Sequence, residues 1–322
     1  MARIADRVFR LLLGFASAAV IAWPATIGVA AQAARVLPSD ACPDVKNYAV
    51  FHRCALERMR TFKPPRQPDG RPDLRGLWQP SGIAYDIEEF TPTQYAPLGA
   101  PSSVPGGKSM IVDPPDGKIP YQPWAAVVRQ HARHVYIPPL SGCFQVGPQR
   151  FLVLGLVLVI QQPGSIHFAT ERYNGHRIVY LDGRPPLGKD IKLWNGSSRG
   201  RWDGDTLVIE TSNLNGLTWF DQMGNFLSSE AQLVERITYV DANTLHYQQT
   251  ITDPKVFTRP WTMAQAIQRS PLKGVDREIW YEDIVENCYQ SLQIQFNEGK
   301  QWWPGIPGFA PWVVPGIQEP PP

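Results

Sequence analysis

Residues 194–211 read WNGSSRGRWDGDTLVIET, and two incompatible folds hang on how that stretch is taken. Gly196-Ser197-Ser198-Arg199-Gly200 fits G-x-S-x-G, the pattern of a nucleophile elbow in serine hydrolases. An elbow needs a buried apolar strand before the serine and a helix after it, so that the turn lifts the hydroxyl toward the helix N-terminus. Neither flank qualifies. The preceding LGKDIKLW is too polar for a central strand, and Ser198 is followed by Arg199–Trp202, an Asp203-Gly204 turn and TLVIET. In that last piece Leu207 and Ile209 fall on one side and Thr206, Val208 and Glu210 on the other, the period of two that marks a strand. Ser198 therefore belongs to a β-hairpin, with Gly196 and Gly200 flanking the turn into it. The stretch also lacks the G-K-[ST] ending and following helix of a phosphate loop.

Similar patterns lie on both sides. SIHFATERY, the hairpin signal Asn174-Gly175 and HRIVYL form one hairpin, while QLVERITYV, DANT and LHYQQTITD form another. RFLVLGLVLVIQQ at 150–162 reads as one long core strand or a strand buried on both faces, and DREIWYEDIVENC as a further strand. Successive hairpins with short turns make an antiparallel meander, and open edges are removed most simply by closure. The expected fold is mainly β, a meander closing into a lipocalin-like barrel over residues 123–298, with a β-sandwich as the alternative. Short helices precede it: the spacing of Val45, Tyr48, Ala49, Phe51, Leu56 and Met59 suits one, and PWAAVVRQHARHVY suits another with proline at its first position. Within 34–122 the chain is dense in Pro and Gly, which predicts an irregular segment packed on the core; 299–322 is a Pro/Trp-rich tail.

The N-terminus has the form of a secretory signal over 1–33. Arg3, Arg7 and Arg10 precede an apolar stretch from Leu11, and Ala31-Gln32-Ala33 fits a signal-peptidase site. Pro24 and the small residues after it argue against a retained anchor, and no second apolar run beyond Ala34 is long enough to span a bilayer. The expected location is periplasmic or secreted, with no membrane contact once the signal is cleaved. Net charge is only +2, and no Lys/Arg cluster is interleaved with aromatics, so nucleic acid is not an expected partner. The 32 prolines, about twice the usual share, suit a loop-rich exported β-protein. In an oxidising compartment Cys42, Cys54, Cys143 and Cys288 are expected to form two disulfides. Cys42 and Cys54 lie close enough to close a small loop, yet all three pairings stay open.

A resemblance runs through much of the chain. PDLRGLWQP at 72–80, RIVYLDGRPP at 177–186, the stretch at 194–211, LVERITYVDANTLHYQQTITDP at 233–254 and TRPWT at 258–262 stand in the order found in a widespread group of secreted bacterial proteins. In that group W-x-G-x-S-x-G-x-W-x-G-D-T-L is a hallmark rather than an esterase elbow, and no activity is attached to it. Two of the group's motifs are not kept. Leu227 stands where a P-H-S histidine is usual, and Cys288 is followed by Tyr289-Gln290-Ser291 rather than the rest of C-H-E-G-N. The resemblance thus implies a kept scaffold without any metal or proton-transfer site that those histidines build.

Candidate chemistry comes from charges placed in strands. In LVERITY, Leu233, Glu235, Ile237 and Tyr239 share one face and Val234, Arg236 and Thr238 the other. A carboxylate in an apolar row is costly unless paired, and its proton affinity is open to tuning for acid/base work. The same holds for Glu171-Arg172. His167 shares a strand face with Glu171, which makes the two an acid/base pair to test. The alternative reading is a set of cross-strand salt bridges and an exposed strand face. The expected catalytic set is therefore Glu171, Glu235 and His167. Arg172, Arg236, Trp194, Trp202, Trp219 and Trp261 are expected to line the pocket, although tryptophans at this density, Trp280 included, also suit a core. His131 and His134 lie three apart on a helix but have no acidic or cysteine partner at useful spacing, so no metal is expected. No nucleotide, flavin or haem signature is present, and no cofactor is expected. These residues suit a secreted pocket protein that binds a small apolar or aromatic molecule and converts it by cofactor-free acid/base chemistry of a lyase, isomerase or hydrolase type. A non-catalytic carrier and a glycan-active enzyme are the alternatives.

Overall fold

The hairpins join edge to edge into a sheet that closes on itself. The computed structural model describes residues 41–82, 86–88, 109–142, 144–170, 175–272 and 296–306, all within the unit Ala34–Pro322. Helix α1 (Tyr48–Arg58) leads into β1 (Gly76–Pro80) and β2 (Ile111–Asp113). Helix α2 (Pro123–Val135), with its proline in the first turn, is followed by β3 (Tyr136–Ile137) and the single turn α3 (Pro148–Phe151). Then come β4 (Val157–Gln162), β5 (Ser165–Thr170), β6 (His176–Tyr180), β7 (Ser197–Asp203) and β8 (Thr206–Ser212). The series ends with β9 (Gln232–Asp241), β10 (Thr244–Thr252), β11 (Trp261–Arg269) and β12 (Gln301–Trp302).

The barrel has nine strands, in the order β1, β4 to β11 and back to β1. Trp78 stands opposite Arg269 at the closure, while β2 pairs with the other end of the same β11 edge, Thr262 opposite Asp113. The expected barrel is therefore present, with two corrections. The meander is not wholly antiparallel. Strands β6 and β7 run parallel through Val179↔Ser198 and Tyr180↔Arg199, because residues 181–196 form a crossing connection and not a tight turn. The second correction concerns the run at 150–162, which is two pieces. Pro148 starts α3, Leu152–Leu154 are buried as irregular chain, and only Val157 onward is strand. Its apolar length comes from a plug followed by a wall. The strand expected at DREIWYEDIVENC falls outside the described residues.

Alternation then fills the interior. Val157, Val159, Ile166, Phe168, Val179, Leu207, Ile209, Leu233, Ile237, Tyr239, Leu245, Tyr247, Ile251 and Met263 point into one core. The plug is tied to the inner wall by two glutamines: Gln249 donates to the Pro148 carbonyl (3.4 Å) and Gln265 to that of Leu152 (3.1 Å). A second, smaller core lies outside, where Phe51 and Ala55 of α1 meet Val240 of β9 and Ala266 of β11. The Cys42–Cys54 disulfide closes the loop before and through α1, with a Cα separation of 5.9 Å; Cys143 and Cys288 are outside the described residues. On the same face His52 Nδ1 and His246 Nε2 share a hydrogen bond of 2.9 Å.

Candidate functional site

Ser198 answers the question posed by G-x-S-x-G. It lies in β7, 3% exposed, with its hydroxyl accepting from Arg177 Nε (3.0 Å) and bonded to Thr211 Oγ1 (3.0 Å). No base is bonded to it. The two glycines have backbone reasons. Gly196 has φ 61°, and a Cβ there would lie 2.5 Å from the Ser212 carbonyl; at Gly200 it would lie 2.7 Å from side-chain carbons of Val179 and Leu181.

Arg177 is the centre of a polar network sealed inside the barrel. Its Nη1 and Nη2 reach Glu235 Oε1 and Oε2 at 3.0 and 2.5 Å, and Nη2 also donates to Thr211 Oγ1 at 2.7 Å. Tyr247 donates to Glu235 Oε1 (2.8 Å) and accepts from Gln249 (2.9 Å). Glu235, Tyr247 and Gln249 have no exposure at all, and Arg177 only 3%. Burial, and then the neighbouring Glu235 charge, pushes the Tyr247 phenol well above its ordinary value. A bidentate arginine pair in a dry interior fixes geometry, but it offers the carboxylate no route to substrate. Glu235 is thus placed as a cross-barrel tie, linking β6 to β9.

A second polar cluster sits beside the plug and meets an opening. A small crevice lined by Pro138, Leu140, Gln145, Arg150, Thr218, Trp219 and Asp221, among others, has a volume of about 10 Å³, room for about one water molecule. The Asp221 carboxyl is fully buried. It accepts from the amides of Ile87 (3.0 Å) and Met223 (2.8 Å) and from Asn225 Nδ2 (2.6 Å). The Asn225 carbonyl oxygen in turn accepts from Tyr121 and from Arg129 Nε, both at 3.0 Å, and Arg129 reaches Glu88 at 3.4 Å. Burial pushes the Asp221 carboxyl up to about 6, and the nearby Asp86 adds to the rise; the bonds from Ile87, Asn225 and Met223 pull the other way. A carboxyl balanced there can take or give a proton near neutrality. Loop 219–226 and α2 position it, so the site is assembled from segments that strand alternation does not reveal.

The residues singled out from sequence do not converge on this crevice. Trp219 lines it, with its indole N–H lacking a hydrogen-bond partner, and its ring meets Trp303 at 5.6 Å. Trp261 is packed against Phe220 and Phe257 in the core, and Trp202 covers part of the core from the far end of β7. Trp194 stacks on Phe144 at 4.9 Å. Arg236 points outward to Asp203 (2.9 Å), each of them exposed. His167 alternates with the buried Ile166 and Phe168, so it stands on the outer wall, bonded to Ser165 Oγ at 3.0 Å. Glu171, Arg172 and Trp280 lie outside the described residues. His131 and His134 are on the exposed side of α2, where His134 Nε2 accepts from Arg133. Among the described residues no three His, Cys, Asp or Glu side chains are grouped to hold a metal.

Sequence reasoning passed over Arg177 and Asp221. Arg177 was legible: it shares its face with Val179 in HRIVY, which makes it an inward charge needing a partner. Asp221 carries no such pattern, because its burial comes from a loop folded under α2. No protein-family model, curated protein or solved structure matches this chain.

Proposed function

We propose that the chain is an exported barrel protein that binds a small, partly apolar molecule at the crevice beside the plug, which has room for about one water and must widen to admit it, with Asp221 giving or taking a proton. The observation that carries this reading is a wholly buried carboxyl, pushed up to about 6, on a residue that lines the crevice together with Trp219, whose indole N–H has no hydrogen-bond partner. Proline and leucine on the wall suit an apolar body. The indole N–H suits an acceptor on the ligand, and Asp221 suits either a donor or an acceptor according to its protonation. The chemistry is proton transfer of the lyase, isomerase or hydrolase type, with no cofactor assigned.

A non-catalytic carrier is the second reading, favoured by the three hydrogen bonds that the Asp221 carboxyl already accepts. Export is supported by the leader-like N-terminus and by the Cys42–Cys54 disulfide, which points to an oxidising compartment. Among the described residues no helix is long and apolar enough to cross a membrane. The shared order of motifs supports a common scaffold with the secreted bacterial group.

The test is native mass spectrometry of the exported protein, prepared without reductant, beside Trp219→Ala and Asp221→Asn. A retained organic molecule that Trp219→Ala loses places the ligand in the crevice; its chemical class then defines the substrate for turnover assays of Asp221→Asn. A molecule retained equally by both variants, or a bare protein whose melting no compound in a small-molecule panel shifts, would falsify the crevice reading.

A further inference from the structure

Among the described residues eight large hydrophobic side chains are exposed, and three of them sit in one loop: Leu187 (41%), Ile191 (47%) and Leu193 (40%). Exposed aliphatics scattered singly need no explanation, whereas a gathered set does. These three are gathered by one residue. Asn213, itself held at φ 61°, donates from Nδ2 to the carbonyls of Leu187 (3.4 Å), Gly188 (2.8 Å) and Ile191 (2.9 Å). Its own carbonyl accepts from the Leu193 amide at 2.8 Å. The loop is further pinned by Lys192 Nζ on the Ser229 carbonyl (2.7 Å) and by Arg199, whose guanidinium donates to the carbonyls of Arg184 and Pro185. The aliphatics are thus presented on a fixed backbone.

The charges around them are mostly positive. Arg184, Lys189, Lys192 and Arg199 stand against Asp182 and Asp190, and Asp182 is already matched by Arg184 at 2.5 Å. Three aliphatics without an exposed aromatic are too few for the core of a stable protein–protein interface. They do suit shallow insertion below lipid headgroups, with cations at headgroup level.

We propose that the 181–193 loop seats the protein on an anionic lipid surface, with Leu187, Ile191 and Leu193 inserted and Lys189 at the headgroups. This goes beyond the crevice reading and does not depend on it. It also differs from the sequence expectation that the mature chain meets no membrane, because a peripheral contact of this kind needs no spanning segment.

The experiment is cosedimentation of the exported chain, its mass checked for loss of the leader, with vesicles of phosphatidylcholine alone or with about a third phosphatidylglycerol. Wild type is expected to bind the anionic vesicles, more weakly as salt rises, and to bind neutral ones less. Leu187→Ser/Ile191→Ser/Leu193→Ser should lower the partition coefficient about a hundredfold. Lys189→Glu, which alters no packed group, should lower it on anionic vesicles alone and covers the case in which the triple variant fails to fold. Absence of wild-type binding to either vesicle overturns the proposal and leaves the patch to a protein or a second copy of the chain. Binding that is indifferent to lipid charge, or is kept by a folded triple variant, overturns it as well.

Discussion

Cutting the tie between Arg177 and Glu235 from one side and then from both separates a structural pair from a merely convenient contact. Glu235→Leu leaves the buried Arg177 guanidinium with only the Ser198 and Thr211 hydroxyls. An uncompensated buried charge of that kind costs about 3–5 kcal/mol. Tyr247 loses its acceptor in the same step, while Gln249 still donates to its oxygen, and an orphaned buried donor adds about 1–3 kcal/mol. Arg177→Met leaves the carboxylate buried with Tyr247 alone and costs about 3–5 kcal/mol by the same argument. The double variant Arg177→Met/Glu235→Leu removes both charges, and Ser198 and Thr211 keep each other at 3.0 Å. Only the Tyr247 donor remains unmatched, so the double should lose about 1–3 kcal/mol, less than either single. Urea denaturation of the four proteins at pH 7 reads all of these values. Single variants that each cost under about 1 kcal/mol, or costs that simply add in the double, would refute the reasoning that the pair is desolvated and mutually dependent.

Acid should loosen the packing of α1. Burial, with the charge of the other ring, holds His246 down to about 3, and burial with Arg53 lowers His52; each therefore folds neutral while the unfolded chain titrates near its ordinary 6.5. Stability from this pair is complete above pH 6.5 and is lost as pH falls toward 3, by about 2 kcal/mol at pH 5 for His246 alone. Asp221, with its raised carboxyl, contributes in the opposite direction below pH 6, so the quantity to measure is the difference in urea stability between wild type and His246→Gln across pH 7 to 4. Parallel curves would contradict the account. Of the two elbow glycines, Gly196→Ala should cost more than Gly200→Ala, because its Cβ meets a backbone carbonyl where the other meets side chains that can shift; Gly200→Ala is expected to cost about 1–3 kcal/mol by thermal unfolding, and equal losses would count against it.

How much of this was legible follows from which residues obey a period. The inward row Leu233, Glu235, Ile237, Tyr239 was readable from alternation, and so was the need for Glu235 to be paired. Its partner was not readable: Arg236, adjacent in sequence, faces the opposite side of the wall, and Arg177 reaches Glu235 from across the barrel. Residues 150–162 misled for a physical reason: a fully buried irregular plug and a core strand draw on the same side chains, and Pro148 was the one sign that the run began as a turn. The parallel step at β6–β7 was hidden because strand direction depends on where a loop crosses, and no local preference records that. No periodic pattern marks Asp221, since its burial depends on Ile87, Met223 and Asn225 meeting around it.

Closure of the barrel has a temporal side. Trp78 and its neighbours at the start of the sheet hydrogen-bond Arg269, Gln268 and Ile267 at its end. Strand β1 is therefore made early in synthesis, but its outer edge has no partner until nearly all of the folded unit exists. Such a seam raises contact order, and the hairpins from β4 onward can assemble by local steps while the seam waits. Pairing Trp78 with Arg269 closes a loop of nearly the whole folded unit, so this seam is the contact whose chain-entropy cost weighs most on the folding rate.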